Sequence, residues 1–211
     1  FKYNSNMQKR VNNEIYNTIP KKLAELNLDE YFYFVEYDFH FANYDNNNGK
    51  SVFVINKKSK HFEMQIDLPE NYPFRPPKVL INTQNSGFYG GGDDTNWVDY
   101  NRWSFSLLKK TNNSENCKNY NNAILFSKIK RPLLKKYWSF TPIITSSTCL
   151  CCNNYLCNNN WNPSNTLVDI LCEYIVRKDF EIYTKKEHLK LISGIFTNLP
   201  DDVIYHIVEL L

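Results

Sequence analysis

Apolar and polar positions recur with two different periods along this chain, and each change of period marks a change of element. Val11, Ile15 and Ile19 lie four apart, with Lys9 and Arg10 before them and Asn13 and Glu14 among them, which predicts an amphipathic helix stopped by Pro20. From Tyr31 to Phe41 the period falls to two, with Val35, Tyr37, Phe39 and Phe41 on one face and Glu36, Asp38 and His40 on the other, the pattern of a half-buried strand. The turn Asp45-Asn-Asn-Asn-Gly49 leads to a second strand, Ser51–Asn56, and a Lys-rich turn leads to a third. In that third strand Phe62, Met64, Ile66 and Leu68 alternate with Glu63, Gln65 and Asp67. Pro69, Pro73, Pro76 and Pro77 then forbid both ladder pairing and helix, so 69–77 reads as an ordered extended crossing, and Val79-Leu-Ile81 resumes as a fourth strand.

Clear periodicity is lost from Gln84 to Tyr137, a stretch that holds the glycine-rich run Gly87-Phe-Tyr-Gly-Gly-Gly-Asp-Asp94 and is expected to be an insertion outside the core. Gly90-Gly-Gly92 lacks the Lys-Ser/Thr of a phosphate loop and precedes acids that repel phosphate, so it reads as a loop. After Trp161, Asn162 is placed to cap a helix with Pro163 at its first position, followed at helical spacing by Leu167, Ile170, Leu171, Tyr174 and Ile175. A polar stretch separates this helix from a last apolar segment, Leu199–Leu211. The class is α+β: a four-stranded antiparallel meander flanked by helices, in a domain spanning 1–180 with an insertion at 84–137, and then a linker and helix start at 181–211.

Composition narrows the function classes. Of 211 residues, 42% are apolar and 16% aromatic, with 15 Tyr and 14 Phe, enough for a packed interior. Thirty asparagines, with abundant Lys, Tyr, Phe and Ile, suggest an AT-rich genome of the kind found in protists and large DNA viruses. Asn runs such as Asn46–Asn48 and Asn158–Asn160 then read as surface loops. A formal charge of +3 is too small for a nucleic-acid footprint, so nucleic acid is not an expected partner. No apolar run is long enough to span a bilayer and the first ten residues have no signal-peptide core, from which a cytoplasmic protein is expected, in host cytoplasm if the source is viral. His40 and His61 are isolated strand residues, and the basic run Lys128, Lys130, Arg131, Lys135 and Lys136 reads as a solvated face.

Taken together, the first helix, the meander, the phrase His61-Phe-Glu-Met-Gln-Ile-Asp-Leu-Pro-Glu-Asn-Tyr-Pro-Phe-Arg-Pro-Pro-Lys-Val79 and the later Trp161-Asn-Pro163 before a helix resemble the ubiquitin-conjugating enzymes. The resemblance covers 1–82 and 138–180. Tyr72-Pro-Phe-Arg-Pro-Pro77 is its specific part, and its work is structural, with Tyr72 and Phe74 expected to anchor the proline crossing on the core. The resemblance implies a UBC-like fold and conjugation of ubiquitin or a ubiquitin-like protein, received from an activating enzyme as a cysteine thioester and passed to lysine. In that family the nucleophile is usually followed by leucine and lies eight residues before the tryptophan. Here Cys149-Leu150 supplies the dipeptide, but Cys149, Cys151 and Cys152 lie twelve, ten and nine residues before Trp161, so the loop is longer. Cys149 is the first candidate nucleophile, with Cys151 and Cys152 as alternates. The family's His-Pro-Asn motif, whose Asn is implicated in stabilising the oxyanion, is represented only by Thr141-Pro-Ile143 at the same offset from Cys151. Loss of one oxyanion donor typically costs ~100–1000-fold in rate.

Four of the six cysteines fall between Cys149 and Cys157, with no secretion signal to favour disulfides. Exposed thiols on a polar loop suit nucleophilic chemistry. The same residues also suit a zinc site, with Cys149-x-x-Cys152, Cys157 and a distant fourth ligand such as Cys117. Ordinary small apolar thiols are the third reading. The segment Leu199–Leu211 resembles the opening of an F-box, with Leu199, Val203, Ile207 and Leu210 on one helix face, which implies docking on a cullin-ligase adaptor. Two functions follow as expectations: thioester-forming conjugation, or a non-catalytic UBC-like scaffold whose cysteines bind zinc.

Overall fold

Val11, Ile15 and Ile19 belong to a helical rod that changes pitch at its centre. The computed structural model describes residues 5–37, 50–82, 97–103, 134, 154–157, 160–179, 200, 203 and 207. Helix α1 (Ser5–Asn13) runs into a π-helical turn (Glu14–Thr18) and continues as α2 (Ile19–Glu25), so Pro20 does not stop the helix as expected. In a regular α-helix a proline ring collides with the carbonyl four residues back. Here the wider turn, closed by the Ile19 N–H on the Glu14 carbonyl, lies just before Pro20 and relieves that crowding, and Pro20 sits in the first turn of α2, where its missing N–H matters least. The rod ends in a Schellman motif: Asn27 takes φ 54, its N–H reaches the Ala24 carbonyl at 3.1 Å, and the Leu28 N–H reaches the Leu23 carbonyl at 2.8 Å. Leu23 and Leu28 are both buried there.

Five antiparallel strands follow in sequential order: β1 (Phe32–Tyr37), β2 (Lys50–Asn56), β3 (Phe62–Leu68), β4 (Lys78–Asn82) and β5 (Trp97–Asp99). The class is α+β, but the count is five strands rather than four. The fifth lies inside 84–137, where a strand of three residues is too short to show a period. Tyr100, Trp103 and Leu134 of the same stretch are buried in the main core, so these parts are not an insertion outside it.

Two strands turn differently from their sequence pattern. In β1 the register Phe34↔Val54 and Val35↔Phe53 puts Phe32 and Phe34 on the core side and Val35 on the other. Aromatics occupy both parities at 31–34, so alternation alone could not choose the face. In β3 the partners Val54↔Met64 and Ile55↔Phe62 leave Glu63 as an extra bulge residue. The bulge carries Phe62 away from Met64, Ile66 and Leu68 to an edge-on contact with Phe53, ring centroids 5.3 Å apart, and leaves Glu63 buried.

Helix α3, residues 167–179, is buried at every position through 177. At ~1.5–3 kcal/mol for each fully buried large apolar side chain, its Leu, Ile, Val and Tyr residues make it the main organiser of the core. It begins at 167 rather than at Pro163. Asn162 spends its side chain on an Asx turn, accepting the Ser164 N–H at 2.9 Å, and the cap is instead Thr166, whose backbone N–H and hydroxyl donate to Asp169 at 2.8 and 2.7 Å. Among the described residues no helix is long and apolar enough to cross a membrane.

Candidate functional site

The proline crossing and the tryptophan motif meet. Two tight turns, Tyr72 N–H to the Pro69 carbonyl at 2.9 Å and Phe74 N–H to the Asn71 carbonyl at 2.8 Å, fold the crossing, and the Tyr72–Pro73 peptide is cis. The Trp161 indole N–H donates to the Pro73 carbonyl at 2.6 Å, with the Tyr72 and Trp161 rings 6.1 Å apart. The Arg10 guanidinium lies 5.9 Å from the centre of the Tyr72 ring and donates to the Pro163 carbonyl. Of the two expected anchors only Tyr72 is one. Phe74 is 76% exposed, because Tyr72 and Trp161 already fill the core side of the crossing.

Glu14 fastens this assembly from beneath. Its carboxylate accepts the Tyr72 hydroxyl at 2.8 Å and the Leu167 N–H at 2.6 Å, so one side chain in the π turn holds the proline crossing and the first N–H of α3. Burial pushes Glu14 above the usual carboxylate range, even though both hydrogen bonds, Arg10 and Lys22 oppose the shift. Lys22 is itself tied to Asp169 at 3.2 Å and Thr166 at 3.0 Å.

Residues 154–157, which follow the cysteine cluster in sequence, form a turn pinned to α3 and to the core. Tyr155 donates its N–H to Glu173 at 2.8 Å, Leu156 is buried in the core, and the Cys157 carbonyl accepts the N–H groups of Asn160 and Trp161 at 2.9 Å. Asn154, also buried, reaches Asn101 at 2.9 Å. Glu173 forms a fully buried ion pair with Arg177 one turn later, at 2.8 Å. Burial raises Glu173 despite Arg177 and the Tyr155 N–H, and burial, followed by Asp169 and Glu173, pushes the Tyr155 phenol up to about 12.

Of the thiols singled out in the sequence, Cys157 is half-buried and free in this turn. Cys149, Cys151, Cys152 and Cys117 lie outside the described residues, as do Thr141-Pro-Ile143, Gly90–Gly92, His40 and the basic run from Lys128 to Lys136. His61 is exposed. Among the described residues no three His, Cys, Asp or Glu side chains come together as a metal site. Of the last segment, Val203 and Ile207 are described, both helical, with Val203 40% exposed.

Glu14, Glu173 and Arg177 are the residues that sequence reading missed. Glu173 and Arg177 did leave a signal, opposite charges four apart inside an otherwise apolar helix. Glu14 left none, since its partners lie 58 and 153 residues away. Compared with family models, curated proteins and solved structures, the chain matches none.

Proposed function

We propose that this chain is a UBC-like protein that carries ubiquitin or a ubiquitin-like modifier as a thioester on Cys149, with Cys151 and Cys152 as alternate nucleophiles. The observation that supports it most is the hydrogen bond from the Trp161 indole to the Pro73 carbonyl, which joins the two motifs on which the family resemblance rests, 88 residues apart. The turn at 154–157 adds to it, because the segment between the candidate cysteines and Trp161 is held to the core by the Tyr155 N–H on Glu173 and by buried Leu156.

In this reading the cysteine thiolate attacks the carbonyl carbon of the thioester that joins the modifier's C-terminus to an activating enzyme. A new C–S bond forms as the old one breaks, and the activating enzyme's thiolate leaves. A lysine amine later attacks the new thioester, loses its proton as the amide forms, and releases the cysteine thiolate. The absence of the Asn in Thr141-Pro-Ile143 makes that second step slow.

The same departure favours a second reading, a non-catalytic scaffold in which Cys149, Cys152 and Cys157 bind zinc. In both readings the exposed Val203 on a helical segment suits docking to a cullin-ligase adaptor through Leu199–Leu211, and the work is done in the cytoplasm. Incubation with an activating enzyme, ATP and ubiquitin or a ubiquitin-like protein tests the choice. A reductant-sensitive adduct supports conjugation; stoichiometric zinc with no adduct from any modifier supports the scaffold.

A further inference from the structure

We propose that the turn joining β2 to β3 is a docking surface for an acidic segment of a partner protein. Lys57, Lys58, Lys60 and His61 crowd the turn, and every residue from 57 to 61 is exposed. Among the described residues Lys57, Lys58 and Lys60 take part in no ion pair, whereas Lys22, Lys50 and Lys178 each hold a carboxylate. The backbone that carries these cations is tightly fixed. Asn56 Oδ1 accepts the N–H groups of Lys58 and Ser59 at 3.0 and 3.2 Å, and the Lys60 N–H returns to the Asn56 carbonyl at 2.8 Å. The Asn56 N–H donates to the His61 carbonyl at 3.0 Å, and the Lys57 N–H donates to the Tyr31 carbonyl at 2.7 Å. The backbone positions that carry the three lysines are therefore preorganised at one tip, which lowers the backbone entropy lost when a partner binds.

Lys60 carries the inference furthest. Two non-glycine residues of the described chain have positive φ, Asn27 at 54° and Lys60 at 61°. Asparagine tolerates the left-handed region and lysine gains nothing there. In a chain with thirty asparagines, a lysine at this position breaks a local rule that the composition could easily have kept. Such a breach is expected where the side chain serves something other than folding.

The surroundings select the partner. Tyr31 and Phe62, 45% and 38% exposed, adjoin the base of the turn and offer apolar contact beside the charge. Lysines are point charges without the planar fork that grips phosphate in two places, and the patch is a single tip on a chain of net charge +3, not the basic stripe that a nucleic acid needs. A membrane-inserting tip carries its apolar residues outermost, but here the charges are at the tip and the aromatics at its base. A short protein segment with several Asp or Glu beside an apolar side chain fits both features.

The test is fluorescence anisotropy of the full chain with a fluorescein-labelled peptide centred on Glu-Glu-Leu-Phe-Glu-Glu. Micromolar binding that weakens as salt rises is expected. The K57E/K58E/K60E variant should bind at least about tenfold more weakly, while K9E/K21E/K78E, with the same change in net charge, should stay within about threefold of the unmutated chain. Lys60→Asn should lower the affinity and leave the melting temperature equal or higher. The proposal is overturned if the unmutated chain does not bind the peptide, if the two triple variants bind alike, or if Lys60→Asn binds as tightly as the unmutated chain. Tighter binding to oligothymidylate or to phosphatidylserine vesicles than to the peptide also overturns it.

Discussion

Replacing Glu14 by alanine removes a side chain that ties the π turn, the proline crossing and the start of α3 together. Its carboxylate holds the Tyr72 hydroxyl at 2.8 Å and the Leu167 N–H at 2.6 Å in a buried setting. A hydrogen bond to a charged group contributes ~1.5–3 kcal/mol, and the substitution leaves two buried donors without an acceptor. Relief of the buried carboxylate's desolvation offsets part of that loss. The expected net cost is ~3 kcal/mol, or ~6–12 °C in melting temperature for a chain of this length. Urea unfolding should show a lower midpoint with an unchanged slope. Tyr72→Phe alone should cost ~1–1.5 kcal/mol. In the double-mutant cycle the two losses should fall short of additivity by ~1 kcal/mol, since each removes the same bond. The pH dependence has a definite sign. Burial holds the folded carboxyl above its ordinary value of 4.5, so the folded state keeps the proton longer and the group's contribution to stability falls as pH rises above that value. The margin of the unmutated chain over Glu14→Gln should therefore narrow in that direction. A cost for Glu14→Ala below ~1 kcal/mol, or full additivity with Tyr72→Phe, would refute the clamp.

Three further outcomes follow from the same geometry. Trp161→Phe keeps a ring but strands the Pro73 carbonyl and should cost ~1–3 kcal/mol by urea unfolding, with a cost near zero counting against contact between the two motifs. Phe74→Ala should change stability by no more than ~0.5 kcal/mol, since the ring is 76% exposed, and a large loss would show that it packs on the core after all. Burial pushes Glu63 up, but Lys178 and the hydroxyl and amide donors of Tyr174 and Asn56 outweigh it, so its carboxyl lies below 4.5 in the folded state. The stability this provides is present above the unfolded value and is lost as pH falls through the folded one, so Glu63→Gln should be most damaging at neutral pH and least damaging in acid, as read by melting temperature across pH.

What the sequence disclosed, and what it hid, follows from how local each cause is. The alternation of Met64, Ile66 and Leu68 is a local pattern and names a core face correctly, whereas the helical spacing of Leu167, Ile170, Leu171 and Tyr174 places the helix but no single face, since every position from 167 to 177 is buried. Pro20 misled because a π turn supplies the room that the proline rule says is missing. Asn162 misled because an Asx turn and a helix cap draw on the same side-chain oxygen, and only the Thr166–Asp169 pair downstream decides between them. Phe62 fits the alternation, yet a bulge at Glu63 sends it to the other face; that bulge arises from pairing with β2 and has no mark in β3 alone. The strand at Trp97–Asp99 is too short for any period, and Glu14 acts on partners distant in sequence. Of the candidate thiols the structure describes Cys157, and the bond from the Tyr155 N–H to Glu173, 18 residues away, that holds its turn had no local signal either.

The thioester is the central claim, and single substitutions test it most directly. The unmutated chain and the variants Cys149→Ser, Cys151→Ser and Cys152→Ser are each incubated with activating enzyme, ATP and a panel of ubiquitin and ubiquitin-like proteins, then resolved with and without excess thiol. The unmutated chain should form an adduct that thiol destroys, and one serine variant, Cys149→Ser first, should form an adduct that survives as an oxyester. No adduct from the unmutated chain with any modifier, or a thiol-sensitive adduct retained by all three variants, would contradict it.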